Sequence, residues 1–149
     1  MNILRAELIH LEDLIPLFDG YRVFYKQETD LARTRTFLTE RLKNQDSVIY
    51  IVYVNGKPVG FTQLYNLFSS VSMERMYLLN DLFVDDNYRG KGIGEALINE
   101  AKKLCVTEKQ KGMAIQTAKD NLAQHLYQRL GFEPDPDLHF FWTNSQLHT

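Results

Sequence analysis

The sequence predicts an α+β fold in which helices flank a mixed central sheet of about six or seven strands. After a first short strand, two amphipathic helical patterns are followed by a run of β-branched and aromatic segments typical of an antiparallel meander. Helical and strand patterns then alternate to the end of the chain, which indicates strands joined through crossover helices. The predicted order is β-α-α-β-β-β-α-β-α-β, with a short additional strand near residues 132–134.

The length and composition predict one domain over residues 1–149. Hydrophobic residues make up 44% of the 149 residues, which is enough to build a core. The formal net charge of −2 argues against a nucleic-acid-binding protein, whose phosphate contacts need a basic surface. No apolar run is long enough to span a membrane, and the N-terminal residues do not resemble a secretion signal. We therefore expect a cytoplasmic protein without a nucleic-acid or membrane partner.

The first third of the chain is predicted to form one strand and two helices. Residues 2–8 alternate roughly between polar and apolar side chains, which is typical of a strand. Residues 31–42 predict a second helix that is shorter than the first. The first helix is predicted from apolar side chains that recur at spacings of three and four, namely Leu11, Leu14, Phe18, Tyr21 and Tyr25.

The middle of the chain predicts a three-stranded meander. Asn55-Gly56 lies between β-branched and aromatic runs, and it is a strong hairpin signal because both residues accept positive φ in a type I′ turn. Pro58 and Gly60 predict an irregular or edge-like place in the second arm, since proline cannot donate a backbone hydrogen bond. The third strand is predicted over residues 72–84.

The last third predicts a helix, a strand, a second helix and a final strand. Cys105 lies on the apolar stripe of the first of these helices, so we interpret it as a core residue rather than a nucleophile. Lys111-Gly112 would end this helix, and a strand follows over residues 113–118. The next helix would stop at Gly131, because glycine accepts the left-handed conformation. Residues 137–143, DLHFFWT, predict the last strand.

Three glycines, Gly90, Gly92 and Gly94, alternate with cationic residues directly before a helical pattern. Glycines let backbone N–H groups converge without a Cβ in the way, and the start of a helix favours an anion. The pattern therefore predicts a phosphate cradle, with an ordinary glycine-rich turn carrying two exposed cations as the alternative. The spacing matches neither the P-loop pattern nor the dinucleotide-binding pattern.

Two segments together resemble the GCN5-related N-acetyltransferase (GNAT) family. Arg89-x-x-Gly92-x-Gly94, which follows LNDLFVDDNY, is similar to the acetyl-CoA loop of the family, (R/Q)xxGx(G/A). The segment NLAQHLYQRLGF is similar to the family's last helix, with Asn121 at its start, Tyr127 within it and LGF at its end. The order of elements resembles the family along essentially the whole chain. YRVFY and LNDLFV further resemble the small histone and polyamine acetyltransferases of the family.

The resemblance implies an enzyme that transfers acetyl from acetyl-CoA directly to a primary amine, either a small amine such as a polyamine or a lysine side chain. The loop amides would bind the pyrophosphate, the pantetheine arm would pair with the preceding strand, and an N–H of Phe83 or Val84 would stabilise the oxyanion. Asn121 would bind the CoA arm, although a helix cap explains it equally well. The implied cosubstrate-binding residues are Leu82, Phe83, Val84, Arg89, Gly90, Lys91, Gly92, Ile93, Gly94 and Asn121.

Three side chains are candidates for proton transfer. The resemblance assigns Tyr127 as the acid, because a phenol with a pKa of about 10 can protonate a leaving thiolate, but a packing role on its helix is the alternative. An amine must lose a proton to become acetylated. Asp81, on the strand that enters the site, is the candidate base, directly or through water, and a solvated or capping carboxylate is the alternative. Glu74 on the same strand is a weaker candidate.

The acceptor is predicted to bind at the first helices, where Tyr21, Tyr25 and Glu28 could cup an ammonium, although both tyrosines also continue the core stripe.

We expect no metal, because the four histidines show no ligand spacing with carboxylates. They are His10, His125, His139 and His148. An acyl-CoA-binding regulatory or sensor domain without turnover is the alternative function. We expect a homodimer from the family and from the aromatic FFW segment, which a monomer would leave partly exposed.

Overall fold

The computed structural model describes residues 1–147, which form two compact units, Met1–Ala118 and a unit that begins at Lys119. The strands of the first unit are β1 (Asn2–Arg5), β2 (Ser47–Val54), β3 (Lys57–Ser69), β4 (Glu74–Val84) and β5 (Met113–Ile115). Its helices are α1 (Leu11–Phe24), α2 (Leu31–Asn44) and α3 (Ile93–Thr107). The second unit contains α4 (Ala123–Arg129).

The five strands form one mixed sheet in the order β1-β2-β3-β4-β5. Neighbouring strands are antiparallel except β4 and β5, which are parallel and are joined through α3. This arrangement confirms the predicted α+β class and the order of elements as far as α4. Within residues 1–147, no helix is both long and apolar enough to cross a membrane.

The β2–β3 hairpin has the turn that the dipeptide predicts. Asn55 and Gly56 have φ of 51° and 77°, and both values lie in the left-handed region that a type I′ turn requires. Val52 pairs with Gly60 and Tyr53 with Pro58, so the second arm is irregular between these two pairs. The prediction of an irregular place at Pro58 and Gly60 is confirmed.

Helices cover both faces of the sheet. On one face, α1 and α2 contribute Leu14, Phe18 and Leu38 to a cluster with Ile51 and Phe61 of the sheet. On α3, the buried positions follow the predicted stripe and are Ile93, Leu97, Ile98, Ala101 and Cys105. Burial also raises the pKa of the Cys105 thiol, and the prediction that this cysteine is a core residue is confirmed.

The sheet has fewer strands than predicted. In the described part of the chain, residues 137–143 and 132–134 form no strand, and Phe140, Phe141 and Trp142 are exposed. The prediction was wrong because alternation identifies a segment that can pair, whereas a strand exists only where a partner takes its backbone hydrogen bonds. The single-domain organisation stays a prediction.

Several predicted boundaries also differ from the structure. β1 ends at Arg5, because a 3₁₀ turn starts at Leu8, and α2 equals α1 in length at 14 residues. α3 ends at Thr107, before the predicted stop at Lys111-Gly112. β5 ends at Ile115 instead of residue 118, and this early end shapes the candidate site.

The end of α4 confirms the predicted stop at Gly131, whose φ is 95°. The Gly131 N–H donates to the Gln128 carbonyl (3.1 Å), and the Phe132 N–H donates to the Tyr127 carbonyl (3.0 Å). These two bonds are the Schellman pattern, which satisfies carbonyls at the end of a helix. The Phe132 and Tyr127 rings also lie close together, with centroids 6.3 Å apart.

Candidate active site

A cleft opens where β4 and β5 part. The two strands pair only from Tyr77 with Met113 to Leu79 with Ile115, and β4 continues to Val84 after β5 has ended. The cleft has a volume of about 300 Å³. Its lining residues come from α1, β4 and the segment after β5, and they are Tyr21, Tyr25, Leu78, Leu79, Asn80, Gln116, Thr117 and Ala118.

A β-bulge lies in β4 beside this cleft. Leu64 of β3 pairs with Leu79 and Gln63 pairs with Asp81, which leaves Asn80 as the extra residue. A bulge changes the direction of a strand and of the side chains that follow it. Asp81 therefore comes to lie beside Gln63, behind the wall of the cleft.

The backbone of β4 after the bulge presents alternate residues to its open edge. The Asp85 N–H donates to the Val59 carbonyl (2.8 Å), so the backbone groups of Asp85, and by alternation those of Phe83, face β3. Leu82 and Val84 therefore face the edge that β5 leaves uncovered. Of the two amides considered for the oxyanion, the geometry favours Val84 over Phe83.

The Asp81 carboxylate is almost completely buried, with 2% of the residue exposed. It accepts hydrogen bonds from Gln63 Nε2 (2.5 Å) and from Asn80 Nδ2 (2.7 Å), and the Tyr21 hydroxyl is a third donor group close to it. Burial raises the pKa of Asp81, and the three donors oppose this rise because they stabilise the ionised form. The alternative of a solvated carboxylate does not agree with this burial.

Two of the three predicted acceptor-binding residues line the cleft. Tyr21 and Tyr25 lie edge to face with ring centroids 5.1 Å apart, and the Tyr21 hydroxyl also donates to the Asn80 carbonyl (3.1 Å). Burial, followed by the charge of Asp81, raises the pKa of Tyr21 far above its usual value. Glu28 is exposed and does not line the cleft, so the structure does not bring it together with the two tyrosines.

The glycine loop forms an open cradle at the start of α3. Gly90 and Gly92 have φ of 75° and 81°, and Gly92 occupies the N-cap position without a side chain to cap the helix. A Cβ added at either residue, or at Gly94, would meet no atom within 4 Å. The amides of Ile93 and Gly94 in the first turn have no acceptor within the helix. These residues therefore fit the pyrophosphate of CoA.

The two cations of the loop differ in their surroundings. Arg89 Nε donates to the Val84 carbonyl (2.9 Å), and its guanidinium pairs with Asp86 (2.7 Å). Its side chain thus holds the end of β4 against the loop. Lys91 lies over the Tyr88 ring at 5.3 Å, and no carboxylate of the described residues is within salt-bridge distance of its ammonium. Lys91 is therefore the cation with charge available at the rim.

The motif residues of the second unit have structural contacts of their own. Asn121 Oδ1 accepts a hydrogen bond from the Ala123 N–H (2.9 Å), two residues further on, which forms an Asx turn directly before α4, whereas Leu122 occupies the N-cap position that was considered for Asn121. Tyr127 is half-buried on α4 and packs against Phe132. The turn uses only the Asn121 carbonyl oxygen, so it is compatible with the proposed contact of this residue with the CoA arm.

Sequence reasoning missed Gln63 and Asn80, which hold Asp81. A signal for Gln63 exists, since Thr62-Gln63 interrupts an apolar strand and buried polar groups need partners. Glu74, the weaker base candidate, lies at the opposite end of β4 and is exposed. Residues 1–147 contain no group of three His, Cys, Asp or Glu side chains that could hold a metal, and His148 lies outside the described residues.

The chain matches the family model described as an acetyltransferase (GNAT) domain over residues 45–134. It is 46% identical to an uncharacterized N-acetyltransferase, YhfO, of Bacillus subtilis (strain 168), over 91% of each chain. It also resembles the crystal structure of a probable acetyltransferase, with a TM-score of 0.90, 35% identity and 97% of each chain covered. At 20% identity it shares the fold of AAC(6′)-Iy in complex with a CoA-containing bisubstrate analogue, with a TM-score of 0.81 over 96% and 97% of the two chains.

We predict that Asp81→Asn stabilises the protein at neutral and high pH. The raised pKa of Asp81 means that the folded protein disfavours the ionised form. The free energy of unfolding of the wild type is therefore highest below the unfolded pKa near 3.8, and it falls as the pH rises toward the folded pKa. The difference in Tm between variant and wild type should therefore grow from pH 4 to pH 8. The exposed Asp120→Asn is the control. A difference that does not change with pH would contradict the prediction.

Proposed function

The chain belongs to the GNAT family and is an N-acetyltransferase that uses acetyl-CoA, and from this premise we propose that it acetylates a primary amine bound in the cleft between β4 and β5. The acceptor is a small amine, such as a polyamine, or a lysine side chain. The observation that carries the proposal is the buried carboxylate of Asp81, which is bonded to Asn80 and lies near Tyr21, two residues that line the cleft.

The loop and the open edge of β4 support the placement of acetyl-CoA. The pyrophosphate would lie on the loop amides, with the helix dipole behind them and Lys91 at the rim. The pantetheine arm would run beside Leu82 and Val84 as an additional strand. Acetyl-CoA supplies the thioester that the amine attacks, and the Val84 N–H would stabilise the charge on its carbonyl oxygen.

The proposed base is Asp81, reached through Tyr21. At pH 7 only about one amine in a few thousand is neutral when its pKa is near 10.4, so the bound ammonium must lose a proton. The Tyr21 hydroxyl, which donates to the Asn80 carbonyl in the structure, would turn to Asp81 and pass its proton to the carboxylate as it takes the proton of the ammonium, which avoids a free tyrosinate. The neutral amine then attacks the thioester carbon. The raised pKa of Asp81 suits a group that must hold a proton for part of the cycle.

The proposed acid is Tyr127. When the tetrahedral intermediate collapses, the carbon–sulfur bond breaks and the sulfur leaves as a thiolate. Protonation by a phenol yields free CoA and the amide product, and the tyrosinate regains a proton from solvent. This assignment rests on the position of Tyr127 in the motif that ends with LGF. The base and the acid are different groups, so each can have the protonation state that its own step needs near neutral pH.

Two further points belong to the proposal. The family match runs from residue 45 to residue 134 and so includes parts of both compact units, which supports a single acetyltransferase domain over residues 1–149.

A homodimer is proposed because exposed aromatic side chains follow α4, and such residues favour association. Size-exclusion chromatography with light scattering tests this assembly.

An enzyme and a CoA sensor without turnover are separated by thiol release. Wild-type protein with acetyl-CoA should release CoA in the presence of at least one amine from a panel that contains spermidine, Nα-acetyl-lysine methyl ester and a lysine peptide. Mass spectrometry of the product identifies the acetylated nitrogen. CoA binding without release for any amine would favour the sensor.

We predict that Gly94→Val lowers the affinity for CoA at least tenfold. Gly94 has an ordinary backbone conformation and open space around its Cβ position, so valine should leave the fold intact while occupying the place of the phosphate. Gly92→Val is less suitable because the positive φ of Gly92 would add strain. Calorimetric titration with CoA measures the effect, with Gly112→Val as the matched control. Equal affinities in the variant and the control would refute the loop assignment.

We predict that Tyr127→Phe lowers kcat by about 10²-fold, the low end of general-acid effects, because a thiolate is a stable leaving group. The ring and its contact with Phe132 remain, so the KM for acetyl-CoA and the Tm should change little. Steady-state kinetics with the best amine of the panel provide the measurement. Wild-type turnover would return Tyr127 to a packing role.

We predict that Asp81→Asn lowers kcat/KM by about 10²–10⁴-fold at pH 7 and that the rate partly recovers at high pH, where solvent deprotonates more amine. An amine of low pKa should show a smaller loss, because it needs the base less. If Asp81 only attracts the ammonium, KM rises and kcat stays the same. Wild-type kinetics at every pH would exclude Asp81 from the reaction.

A further inference from the structure

The Asp81 carboxylate lies at the inner end of a short chain of buried polar groups. Gln63 is completely buried, and its Nε2 lies 2.5 Å from Asp81 Oδ2. On the other side, Ser47 Oγ donates to Gln63 Oε1 at 2.8 Å. Ser47 is only half-buried, at the start of β2 beside the exposed Asp46. These hydrogen bonds therefore connect Asp81 through the Gln63 amide to the Ser47 hydroxyl near the surface.

The amide of Gln63 can satisfy either protonation state of Asp81. With Asp81 ionised, Nε2 donates to the carboxylate and Oε1 accepts from Ser47. With Asp81 protonated, a half-turn of the amide lets Oε1 accept from the carboxylic acid and Nε2 donate to the Ser47 hydroxyl oxygen. The two orientations have nearly the same shape, and the last torsion of glutamine is broad and two-fold. No buried polar atom of Gln63 loses its partner in either state.

The geometry around the amide allows both orientations. A hydroxyl can donate or accept, so Ser47 serves either one. The 2.5 Å separation is shorter than amide donors prefer, but it is still within the range of a hydroxyl that donates to an oxygen, so the space suits the protonated acid as well. A buried leucine or methionine at position 63 would offer neither bond, and Asp81 would then be stabilised only by Asn80 and Tyr21.

We propose that Gln63 is a positioning residue whose side-chain amide rotates by a half-turn as Asp81 gains and loses its proton, with Ser47 as its partner in both orientations. The proposal rests on the proposed function, in which Asp81 alternates between the two states during each turnover. A base that is buried in both states needs a neighbour that compensates for each of them. Otherwise one state leaves an unsatisfied buried group, which is costly and slows the cycle.

The other ionisable groups around Asp81 do not supply this compensation. Tyr21 of α1 and Tyr65 of β3 are the phenols that feel the charge of Asp81. Both are neutral at pH 7, because burial raises the pKa of each. Arg41 and Asp46 have opposite effects on the pKa of Tyr65, and they form an ion pair with each other. Within the described residues, no cation contacts Asp81 directly.

The rotation of the Gln63 amide can be observed by NMR on the wild-type protein without any substrate. At high pH the Gln63 amide protons should show nuclear Overhauser contacts to the Asp81 Hβ atoms, and at low pH to the Ser47 Hβ atoms. The midpoint of this change should equal that of the Asp81 carboxyl ¹³C titration. In Asp81→Asn the pH dependence should disappear. The same contacts at both ends of the pH range would overturn the proposal.

A matched pair of glutamine variants provides the second test. Gln63→Met keeps the volume and removes the partner of both protonation states. It should therefore lower the Tm at low pH as well as at high pH, and it should raise the pKa of Asp81 by less than the roughly one to two pH units expected for the loss of a fixed donor. Gln110→Met is the control, because the buried Gln110 amide has no hydrogen-bond partner in the described part of the chain. A rise of roughly one to two pH units in the pKa of Asp81 in folded Gln63→Met, with no loss of Tm at low pH, would indicate a fixed donor and overturn the proposal.

These results are distinguishable from a failure of the proposed function. If the Gln63 amide rotates but Asp81→Asn retains wild-type kinetics, Asp81 is not the base. The coupling of the Gln63 orientation to the protonation of Asp81 then still stands. If Asp81→Asn loses activity as expected while the amide stays fixed, the base stands and the positioning role is refuted. With both confirmed, the acidic limb of the kcat/KM profile should move to higher pH in Gln63→Met by the same amount as the NMR pKa.

Discussion

The antiparallel ladder between β3 and β4, with its bulge at Asn80, is the constraint on which the candidate site depends. The extra residue changes the direction of β4 at the point where β5 leaves it. One irregularity thus creates an uncovered strand edge, opens a cleft of about 300 Å³ and turns Asp81 toward Gln63 and Tyr21. A regular ladder would continue the pairing and leave neither the edge nor the cleft.

The same place carries a conflict between stability and chemistry. A buried carboxylate disfavours folding when it is ionised, and the three donors around Asp81 reduce this cost without removing it. A fold selected only for stability would place an apolar residue or an amide there. A buried acid with a raised pKa beside a cleft is typical of groups that transfer protons.

The glycine loop is connected to the cleft through the end of β4. Arg89 belongs to the loop, and its side chain binds the last carbonyl of the strand while pairing with Asp86. The cradle for an anion and the strand edge for an extended chain are therefore held in one local arrangement. A ligand with a pyrophosphate and a long arm can use both, and this pairing of features fits CoA better than it fits an isolated phosphate.

The sequence by itself determined the local structure: the Asn55-Gly56 turn, the core stripe of α3 with Cys105, the open loop at Gly92 and the stop at Gly131. Each follows from backbone preferences or from spacing within one element, so neighbouring residues are sufficient to predict it. The motifs also identified the family. Only the tertiary structure decided which segments pair, because strand pairing depends on distant partners. It therefore removed the last predicted strand, ended β5 at Ile115, placed Gln63 beside Asp81 and left Glu28 outside the cleft.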